Sequence, residues 1–368
     1  MTIPSVATMT RQSTPRFAGA SRWALSLFAL AATASWAAGN PDGHCTVPTA
    51  ARADSIANPA HVIGNGTPAS CTSAAFVAAV AQGGVITFNC GPDAHTIVLQ
   101  QTAKLFNDKP NVVIDGGNKI TLSGGGARRI LYMNTCDEAQ HWTTDHCNTQ
   151  DYPRLTVQNI GLVRGNSSGQ TYGLSEVYGG GAIYVRGGRL KVYNTRFTRN
   201  QCETTGPDLG GGAIRAFEGA PGGTIYVTKS SFGGDVGYGN TCSNGGAISG
   251  LGTNYSVYNS LFRNNTAVGW GANPARGGTP GGGSGGAIYQ DGNTISLASC
   301  GNKIESNHAN EGGGAFFFVS NNLTGTMSIT DSFLSGNPND QFETNGLPGI
   351  FVLAKAGQPV ITNSIIER

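Results

Sequence analysis

Two rows of residues that could do chemistry recur at fixed distances after a repeated Gly-Gly-Ala motif. The first row, two residues after each alanine, consists of Tyr184, Arg215, Ser249, Tyr289 and Phe317. The second row, two positions further along the chain, contains Arg186, Phe217 and Asp291. Aromatic rings can stack on the faces of sugar rings, and the arginine fork can hold a carboxylate with two hydrogen bonds. If the residue before each first-row member points into the core, both rows point outward. The rows therefore predict an exposed sugar-binding platform formed by Tyr184, Arg215, Phe217, Tyr289 and Phe317.

Three members of these rows could also cleave an acidic polysaccharide. A lyase must neutralise a uronate carboxylate, with Ca²⁺ or with arginine, and it must supply a base that removes the C5 proton. Arg186, Arg215 and Asp291 are the candidate catalytic residues for such a β-elimination. Ca²⁺ is the cofactor that would serve this chemistry where arginine does not, and the sequence assigns no ligands to it. A structural interpretation stays open as well, because tyrosine and phenylalanine favour strands and can simply cover a flat sheet.

Hydrolysis has less support from the sequence. A glycosidase needs two carboxylates a set distance apart. The acidic residues near the rows are scattered, without a clear pair on adjacent repeats: Glu176, Glu203, Asp208, Glu218, Asp291 and Glu311. His308 and Glu311 share one short segment, for which a surface role is favoured over catalysis.

A polar insertion between residues 134 and 153 holds a second group of candidate ligands. The group consists of Asp137, Glu138, His141, Asp145 and His146. Cation binding is one interpretation of this cluster. A solvated loop closed by a disulfide between Cys136 and Cys147 is the favoured one.

The two rows depend on a repeat that runs through more than half of the chain. The sequence Gly-Gly-Ala-Ile occurs at 180–183, 211–214, 245–248 and 285–288, and it returns altered as Gly-Gly-Ala-Phe at 313–316. The alanines are 31, 34, 40 and 28 residues apart. Self-similarity at such a period is typical of a solenoid.

A second marker keeps phase with the first. An Asn-like residue is followed three positions later by an apolar residue and, after three more, usually by Asn. The copies are Asn194-Phe197-Asn200, Lys229-Phe232-Asp235, Asn259-Phe262-Asn265, Gly301-Ile304-Asn307 and Asp331-Leu334-Asn337. The runs before the markers, such as 190–193, 224–227 and 255–258, alternate and are rich in β-branched and aromatic residues. Stacked coils of a parallel β-helix explain both markers, with asparagines forming ladders and glycines forming tight corners.

These motifs resemble those of a known family. Gly-Gly-Ala-Ile copies that alternate with Phe-x-x-Asn, here at 197–200 and 262–265, resemble the repeats of chlamydial polymorphic membrane proteins. More broadly, residues 71–366 resemble the right-handed parallel β-helices of the pectate-lyase-like superfamily. The resemblance implies an all-β, right-handed parallel β-helix. It does not imply one activity, because that architecture carries lyases, hydrolases, adhesins and tailspikes.

The first 37 residues have the features of a secretory signal peptide. Arg11, Arg16 and Arg22 precede an apolar run at 23–32, and small residues at 32–34 or 35–37 offer a cleavage site. The apolar run is short for a membrane span, which disfavours the alternative of an uncleaved anchor. We divide the rest into an N-terminal extension at 38–70 and a β-helix domain at 71–368. A helical run at 74–80 is expected to cap the first coil.

The composition indicates which cellular compartment the protein occupies and disfavours one class of binding partner. Charged residues make up 12% of the chain and the net charge is +2, which disfavours nucleic-acid binding. Eight cysteines indicate an oxidising compartment. We expect Cys71 to pair with Cys90, Cys136 with Cys147, and Cys202 with Cys242. Cys45 and Cys300 are left without an assignment.

The sequence thus predicts a secreted or cell-surface protein without a membrane span once the signal is cleaved, and a monomer. Long loops at 166–179, 201–210, 236–244, 266–284, 308–312 and 338–348 are expected along one edge of the solenoid, where function usually lies. Adhesin-like recognition of a polysaccharide or cell-surface glycan is the favoured function. A polysaccharide lyase or hydrolase is the alternative, and a structural role in a cell envelope stays open.

Overall fold

Repeated strands stack into four sheets in which all neighbouring strands are parallel. The computed structural model describes residues 38–174, 176–219 and 222–368. The signal peptide predicted at 1–37 lies outside these residues. Within them the chain forms a right-handed parallel β-helix, as predicted from the repeat.

Short strands supply nearly all the regular structure. Up to the start of the polar insertion, the strands are β1 (His61–Ile63), β2 (Gly84–Phe88), β3 (His95–Val98), β4 (Ala103–Lys104), β5 (Asn111–Asp115), β6 (Ile120–Ser123) and β7 (Leu131–Asn134). The next are β8 (Arg154–Gln158), β9 (Gly161–Val163), β10 (Ile183–Arg186), β11 (Arg189–Tyr193), β12 (Arg196–Thr198), β13 (Ile214–Phe217), β14 (Thr224–Thr228), β15 (Ser231–Gly233) and β16 (Thr241–Cys242). The last are β17 (Ile248–Leu251), β18 (Asn254–Tyr258), β19 (Leu261–Arg263), β20 (Thr266–Ala267), β21 (Ile288–Gly292), β22 (Ser296–Cys300), β23 (Lys303–Glu305), β24 (His308–Ala309), β25 (Phe316–Ser320), β26 (Thr326–Thr330), β27 (Phe333–Ser335), β28 (Ile350–Leu353), β29 (Val360–Thr362) and β30 (Ile365–Glu367).

Each coil of the solenoid visits three sheets in turn. Sheet 1 follows the Gly-Gly-Ala motif and has the order β4-β7-β10-β13-β17-β21-β25-β28. Sheet 2 has the order β1-β2-β5-β8-β11-β14-β18-β22-β26-β29. Sheet 3 has the order β3-β6-β9-β12-β15-β19-β23-β27-β30, and the short sheet 4 consists of β16, β20 and β24.

The core is built from columns of equivalent residues. Ile183, Ile214, Ile248, Ile288 and Phe316 are aligned across sheet 1 and are fully or almost fully buried. Three equivalent phenylalanines, Phe197, Phe232 and Phe262, stack inside sheet 3 with ring centroids 4.6 Å apart at each step. That spacing is close to the separation of neighbouring strands, so each of these three coils adds one ring to the stack.

The paired glycines are required at the corner before sheet 1. Gly245 has a φ of +54°, a conformation that glycine adopts without a steric penalty. Its neighbour Gly246 lies against the next coil, where an added Cβ would be 2.3 Å from the carbonyl oxygen of Gly286. The first glycine of the motif therefore makes the turn, and the second allows the coils to stack.

An asparagine ladder lines the corner after sheet 3. The Nδ2 of each side chain donates to the Oδ1 of the next, at 2.8–2.9 Å, along Asn200, Asn240, Asn265, Asn307 and Asn337. The sequence-based prediction placed Asp235 in this ladder, and that was wrong. The chain loops out after Gly233, which leaves the Asp235 side chain 89% exposed, and returns to the ladder at Asn240.

The corner between sheets 2 and 3 carries the other predicted column. Asn159, Asn194, Lys229, Asn259, Gly301, Asp331 and Asn363 all have φ between +46° and +68°. Asparagine and aspartate tolerate this left-handed conformation better than other non-glycine residues do. Lys229 has a φ of +47°, so it keeps the backbone conformation of its neighbours in the column.

Helix α1 (Ser73–Gln82) covers the N-terminal end of the core, as predicted. The Thr72 hydroxyl accepts a hydrogen bond from the Ala75 amide, which is a typical N-cap. Phe76, Ala79 and Val80 are buried against the first coils. Short 3₁₀ helices occur at Thr49–Ala51, Pro68–Ser70, Glu138–Gln140 and Cys147–Thr149.

Residues 38–60, which we call the strap, run along the outside of the coils. The Ala38 amide donates to Asn194 Oδ1 at 3.1 Å, and the Gly39 amide donates to Ser231 Oγ at 2.7 Å. The segment then reaches the coil of Cys300, to which Cys45 is disulfide-bonded. The chain returns across sheet 2, where Asp54 pairs with Lys191 at 2.6 Å.

Four disulfides are present. The three predicted pairs, Cys71–Cys90, Cys136–Cys147 and Cys202–Cys242, are confirmed. The two unassigned cysteines pair with each other. In the described part of the chain, no helix is both long enough and apolar enough to cross a membrane.

Candidate functional site

The outer face of sheet 1 displays the two rows in register. Tyr132, Tyr184, Arg215, Ser249, Tyr289, Phe317 and Phe351 form the first row. Asn134, Arg186, Phe217, Leu251, Asp291, Val319 and Leu353 form the second. Side chains two apart on a strand point to the same face, so both rows point away from the core, as predicted.

The exposure predicted for the first row is wrong. Tyr184 and Tyr289 are fully buried, and Arg215 and Phe317 are almost fully buried. The reason is that the loops entering sheet 1 fold over these side chains. The Tyr184 hydroxyl donates to the carbonyl oxygen of Glu176, in one such loop, at 3.1 Å.

The N-terminal half of the row is sealed around a buried arginine. The Arg129 guanidinium is fully buried and donates to the carbonyl oxygens of Gly180, Gln170 and Gly179 at 3.1, 3.0 and 2.9 Å. It lies 5.2 Å from the ring centroid of Tyr184. Burial raises the pKa of Tyr184 to about 12, so this hydroxyl stays a hydrogen-bond donor.

Arg215 is held in the same way further along the row. One of its terminal nitrogens donates to Ser249 Oγ at 2.5 Å, and the other donates to the carbonyl oxygen of Asp208. Burial lowers the pKa of Arg215. These contacts direct the guanidinium to the covering loop at 201–210.

The C-terminal half of the face opens into a cleft of about 850 Å³. Its floor is formed by both rows, and its walls come from the loops before and after the strands. The lining includes Asp208, Phe217, Glu218, Leu251, Asn273, Asp291, Asn293, Phe317, Val319, Asn321, Phe342, Phe351 and Leu353. Its second-row members belong to five successive strands, so the floor is roughly 19 Å long at one strand spacing per step.

Aromatic side chains form the apolar part of the cleft. The Phe317 ring stacks on Tyr289 at 4.9 Å and on Phe351 at 5.2 Å between ring centroids. The Phe342 ring meets Phe351 nearly edge-on, at 4.9 Å and 81°. The predicted residues Phe217 and Phe317 thus line one surface with Phe342 and Phe351, which were not predicted.

Two carboxylates meet at one tyrosine hydroxyl. Tyr289 Oη lies 3.4 Å from Asp208 Oδ1 and 3.2 Å from Asp291 Oδ2, and its single proton can be donated to either oxygen. Asn273 Nδ2 donates to Asp208 Oδ1 at 2.5 Å and also to Tyr289 Oη. The group links sheet 1 to the loops at 201–210 and 266–284.

The acidic groups differ in how their environment affects their protonation. Burial raises the pKa of Asp291, although Asn321 Nδ2 donates to its carboxylate at 2.8 Å and opposes the shift. The nearby Asp208 charge adds to the increase. Burial also raises the pKa of Glu218, another residue that lines the cleft, whereas Arg186 opposes that shift.

The second-row arginine is already paired. Arg186 Nη1 lies 2.7 Å from Glu176 Oε2, and Arg186 Nε donates to Asn148 Oδ1 at 2.7 Å. Its guanidinium carbon lies 4.8 Å from the Phe217 ring centroid, which places it beside the cleft. The catalytic roles predicted for Arg186, Arg215 and Asp291 stay predictions, and Asp291 is the one of the three that lines the cleft.

The remaining polar candidates are separated in the structure. His308 pairs with Asp340 at 3.0 Å, whereas Glu311 is buried and forms two hydrogen bonds with Arg276. In the insertion, Asp137 is buried and accepts a hydrogen bond from the Tyr132 hydroxyl at 2.9 Å. The histidines of the insertion bond elsewhere, His141 to Asp108 and His146 to Asp145.

Among the described residues, one group has the spacing of metal ligands, and it consists of Cys45, Cys300 and Asp331. Its two sulfur atoms are joined in a disulfide and are not free thiolates. No residue of the insertion belongs to this group, and the two interpretations of the insertion, cation binding and a solvated loop, stay predictions.

Sequence reasoning did not assign the covering residues to the site, although it noted Asp208 and Glu218 as acidic residues near the rows. Asp208, Glu218, Asn273 and Asn321 line the cleft, but none lies in either predicted row. The length of the loop at 266–284 was the available signal, because a long loop before β21 has enough residues to fold over the rows.

Comparison with known proteins gives no further assignment. No protein-family model, no curated protein and no solved structure matches this chain. The parallel β-helix rests on the strands themselves. The likeness to chlamydial or pectate-lyase-like proteins rests on the repeat residues alone.

Proposed function

We propose that this protein is an extracellular glycan-binding protein that holds an uncharged oligosaccharide in the cleft on sheet 1. The observation that carries the proposal is the combination of aromatic surfaces with amide and carboxylate groups along one extended floor. Aromatic carbon surfaces favour the apolar faces of sugar rings, and the polar groups can bond the hydroxyls at their edges. A floor spanning five strands suits a short chain of sugars better than a single one.

The charge of the lining favours an uncharged ligand. Asp208, Glu218 and Asp291 line the cleft, and no lysine or arginine among the described residues does so. A uronate or sulfate in this place would meet like charges, which weakens binding. This argues against the acidic polysaccharides considered from the sequence, because Arg186 and Arg215 are engaged by Glu176 and by Ser249 with Asp208.

The extracellular location is part of the same proposal. Four disulfides involve all the cysteines of the chain, and disulfides persist in oxidising compartments. The signal features at 1–37 agree with export. Recognition of a cell-surface glycan, as in an adhesin, is the use that we favour.

Hydrolysis of the bound glycan is the second candidate. The observation in its favour is the pair Asp208 and Asp291 on one hydroxyl, with the pKa of Asp291 raised by burial. A carboxyl group with a raised pKa can protonate a leaving oxygen, while a second carboxylate activates water or attacks the sugar. In this scheme Asp291 is the acid and Asp208 is the base or nucleophile.

Binding is tested with the chain from Ala38 onward. Titration calorimetry against neutral and acidic oligosaccharides should give heat with neutral chains alone. Phe351→Ala removes a ring from the floor and should weaken binding by about 10-fold to 100-fold. Phe333→Ala, a half-buried phenylalanine on the outer face of sheet 3, is the matched control and should bind normally. Binding that survives Phe351→Ala, or that prefers acidic chains, would refute the proposal.

Catalysis is tested in the same samples. New reducing ends without ultraviolet absorbance would establish hydrolysis, and loss of the activity in Asp291→Asn with retained binding would assign the acid. Rising absorbance from unsaturated ends would instead establish a lyase. Binding without products would leave recognition as the whole function.

A further inference from the structure

A line of arginine and apolar side chains runs along the corner after sheet 3. Arg164 and Arg199 come directly after β9 and β12, and both are exposed. The Arg164 amide donates to the carbonyl oxygen of Thr198 at 3.1 Å, so the two arginines occupy equivalent positions on neighbouring coils. We call this line the ridge, and its members are Val98, Arg128, Arg164, Arg199, Val236 and Tyr238.

Contacts join these side chains into one surface. The turn at 125–126 lies between Val98 and Arg164. A Cβ atom added to each of its two glycines would be 3.6 Å from Val98 Cγ1 and 3.7 Å from Arg164 Nη2. On the next coil, the guanidinium carbon of Arg199 lies 4.1 Å from the ring centroid of Tyr238. The ridge therefore extends over successive coils without a gap.

The ends of the ridge are apolar and exposed. Val98, at one end, is 50% exposed. At the other end, Val236 and Tyr238 are 89% and 45% exposed, and both belong to the loop between β15 and β16. Exposed apolar side chains on both sides of a charged strip are typical of an interaction surface.

The charges of the ridge have no acidic partners among the described residues. Arg128 donates to the carbonyl oxygen of Leu99, and Arg199 Nε donates to that of Gly237 at 3.0 Å. Carbonyl groups orient a guanidinium but do not neutralise its charge. The arginines that form ion pairs in the described part of the chain are Arg154, Arg186, Arg189, Arg263, Arg276 and Arg368.

The fold does not require arginine at these positions. Arg164 and Arg199 have φ values of +51° and +56°, a conformation that arginine adopts rarely. The residues after β19, β23 and β27 at the same corner are Asn264, Ser306 and Gly336, with φ of +57° or +58°. Two like charges on neighbouring coils, about 4.8 Å apart, also repel each other. An anionic partner would relieve this repulsion.

The positive charge is local to the ridge. The chain has 23 basic and 21 acidic residues, and three of the basic ones precede residue 38. The chain from residue 38 onward therefore has 20 basic and 21 acidic residues, a net charge of −1. Asp235, the acidic residue beside Val236, pairs with Arg263 at 3.7 Å rather than with a ridge arginine. Attraction of an anion to the ridge thus depends on the ridge itself.

We propose that the ridge docks the protein onto an anionic lipid surface. Its arginines bind the phosphate groups, because a guanidinium can hold phosphate oxygens with two hydrogen bonds. Its valine and tyrosine side chains enter the boundary between head groups and acyl chains, where tyrosine is favoured. Basic groups and inserted apolar groups together provide the two signals that stable peripheral attachment needs.

Shape and apolar content favour a lipid surface over a soluble anionic polymer. The ridge is an outer corner of the solenoid and is therefore convex, whereas ligands in solution are usually held in a concave site. The exposed valines at its two ends gain more from acyl chains than from a chain rich in sulfate or carboxylate. No ridge residue lines the cleft on sheet 1, so the inference does not depend on glycan binding.

Vesicle co-sedimentation of the chain from Ala38 onward tests the proposal. The protein should bind phosphatidylcholine vesicles that contain about 30% phosphatidylglycerol, but not pure phosphatidylcholine, and high salt should weaken the binding. Arg164→Gln combined with Arg199→Gln should weaken it by about 10-fold to 30-fold, because each basic residue near an anionic surface contributes about 5-fold. Val236→Ser should weaken it by about 3-fold, because an inserted apolar group is lost.

Arg52→Gln is the matched control. Arg52 is exposed and its Nε donates to the carbonyl oxygen of Val47 at 3.1 Å, but it lies on the strap. This variant should bind like the wild type, and circular dichroism should show that all variants are folded. Equal binding to both kinds of vesicle, no binding to the anionic ones, or an equal loss in Arg52→Gln would overturn the proposal. Binding to soluble dextran sulfate but not to vesicles would overturn it in favour of an anionic polymer.

Discussion

The two halves of the outer face of sheet 1 share one strand register, but one half is covered by loops and the other is open. In the N-terminal half, Tyr132 and Tyr184 lie under the loop at 166–180, and Arg129 ties that loop down through three carbonyl oxygens. In the C-terminal half, Tyr289, Phe317 and Phe351 continue the row, but the loops stop short and leave a cleft. The repeat thus provides a platform, and the loops decide whether it becomes a second core or a site.

The largest effect is expected from replacing Arg129, the buried arginine of the N-terminal half. Arg129→Met should lower the free energy of unfolding by about 3 kcal/mol, because buried carbonyl groups lose their donors. Chemical denaturation measures the loss. Arg154→Met is the control, since Arg154 pairs with Asp151 at the surface and should cost no more than about 1 kcal/mol. Equal losses in the two variants would contradict the idea that Arg129 seals its half.

Two matched tyrosine variants sharpen the comparison. Tyr184→Phe removes a hydrogen bond to the Glu176 carbonyl in the sealed half and should cost about 1 kcal/mol of stability without affecting glycan binding. Tyr289→Phe removes the hydroxyl between Asp208 and Asp291 in the open half. We expect it to weaken glycan binding and, because the buried hydroxyl bonds carboxylates and Asn273, to cost about 1–3 kcal/mol of stability. Titration calorimetry measures the change in glycan binding of each variant, and chemical denaturation measures its change in stability. Weakened binding in Tyr184→Phe together with normal binding in Tyr289→Phe would show that the two halves are misassigned.

The smallest expected effect is a pH dependence in the open half. The folded state raises the pKa of Asp291, so its ionisation destabilises the fold once pH rises above the ordinary aspartate range. Asp291→Asn should therefore stabilise the protein near pH 7, by less than about 1 kcal/mol because the group is partly solvated. The gain should disappear as pH falls below the unfolded pKa. A gain that is constant with pH would rule out this cause.

Much of the fold was predictable because it is periodic. Glycine, asparagine and apolar residues return at corners and core columns, and their spacing placed sheets 1, 2 and 3. The prediction was wrong at Asp235, where an inserted loop delays the ladder until Asn240. Periodicity cannot reveal such a shift, because both residues are chemically suited to the position.

The site was less predictable because the burial of its residues depends on loops that do not repeat. The rows were in the predicted register, but the burial of Tyr184 and Tyr289 depends on the path of the covering segments. Asp208 is 81 residues from the Tyr289 hydroxyl that it shares with Asp291. No local spacing indicates that contact, and none indicated the pairing of Cys45 with Cys300.

The strap has a consequence for the order in which the protein is made. Cys45 is synthesised 255 residues before its partner, and Cys71 and Cys90 emerge in between. Pairing in order of appearance would join Cys45 to Cys71 and trap the first coils. Cys45 must therefore stay unpaired or wrongly paired until the coil that contains Cys300 has formed. Closure of the strap by its native disulfide is therefore a late step in the biogenesis of the protein.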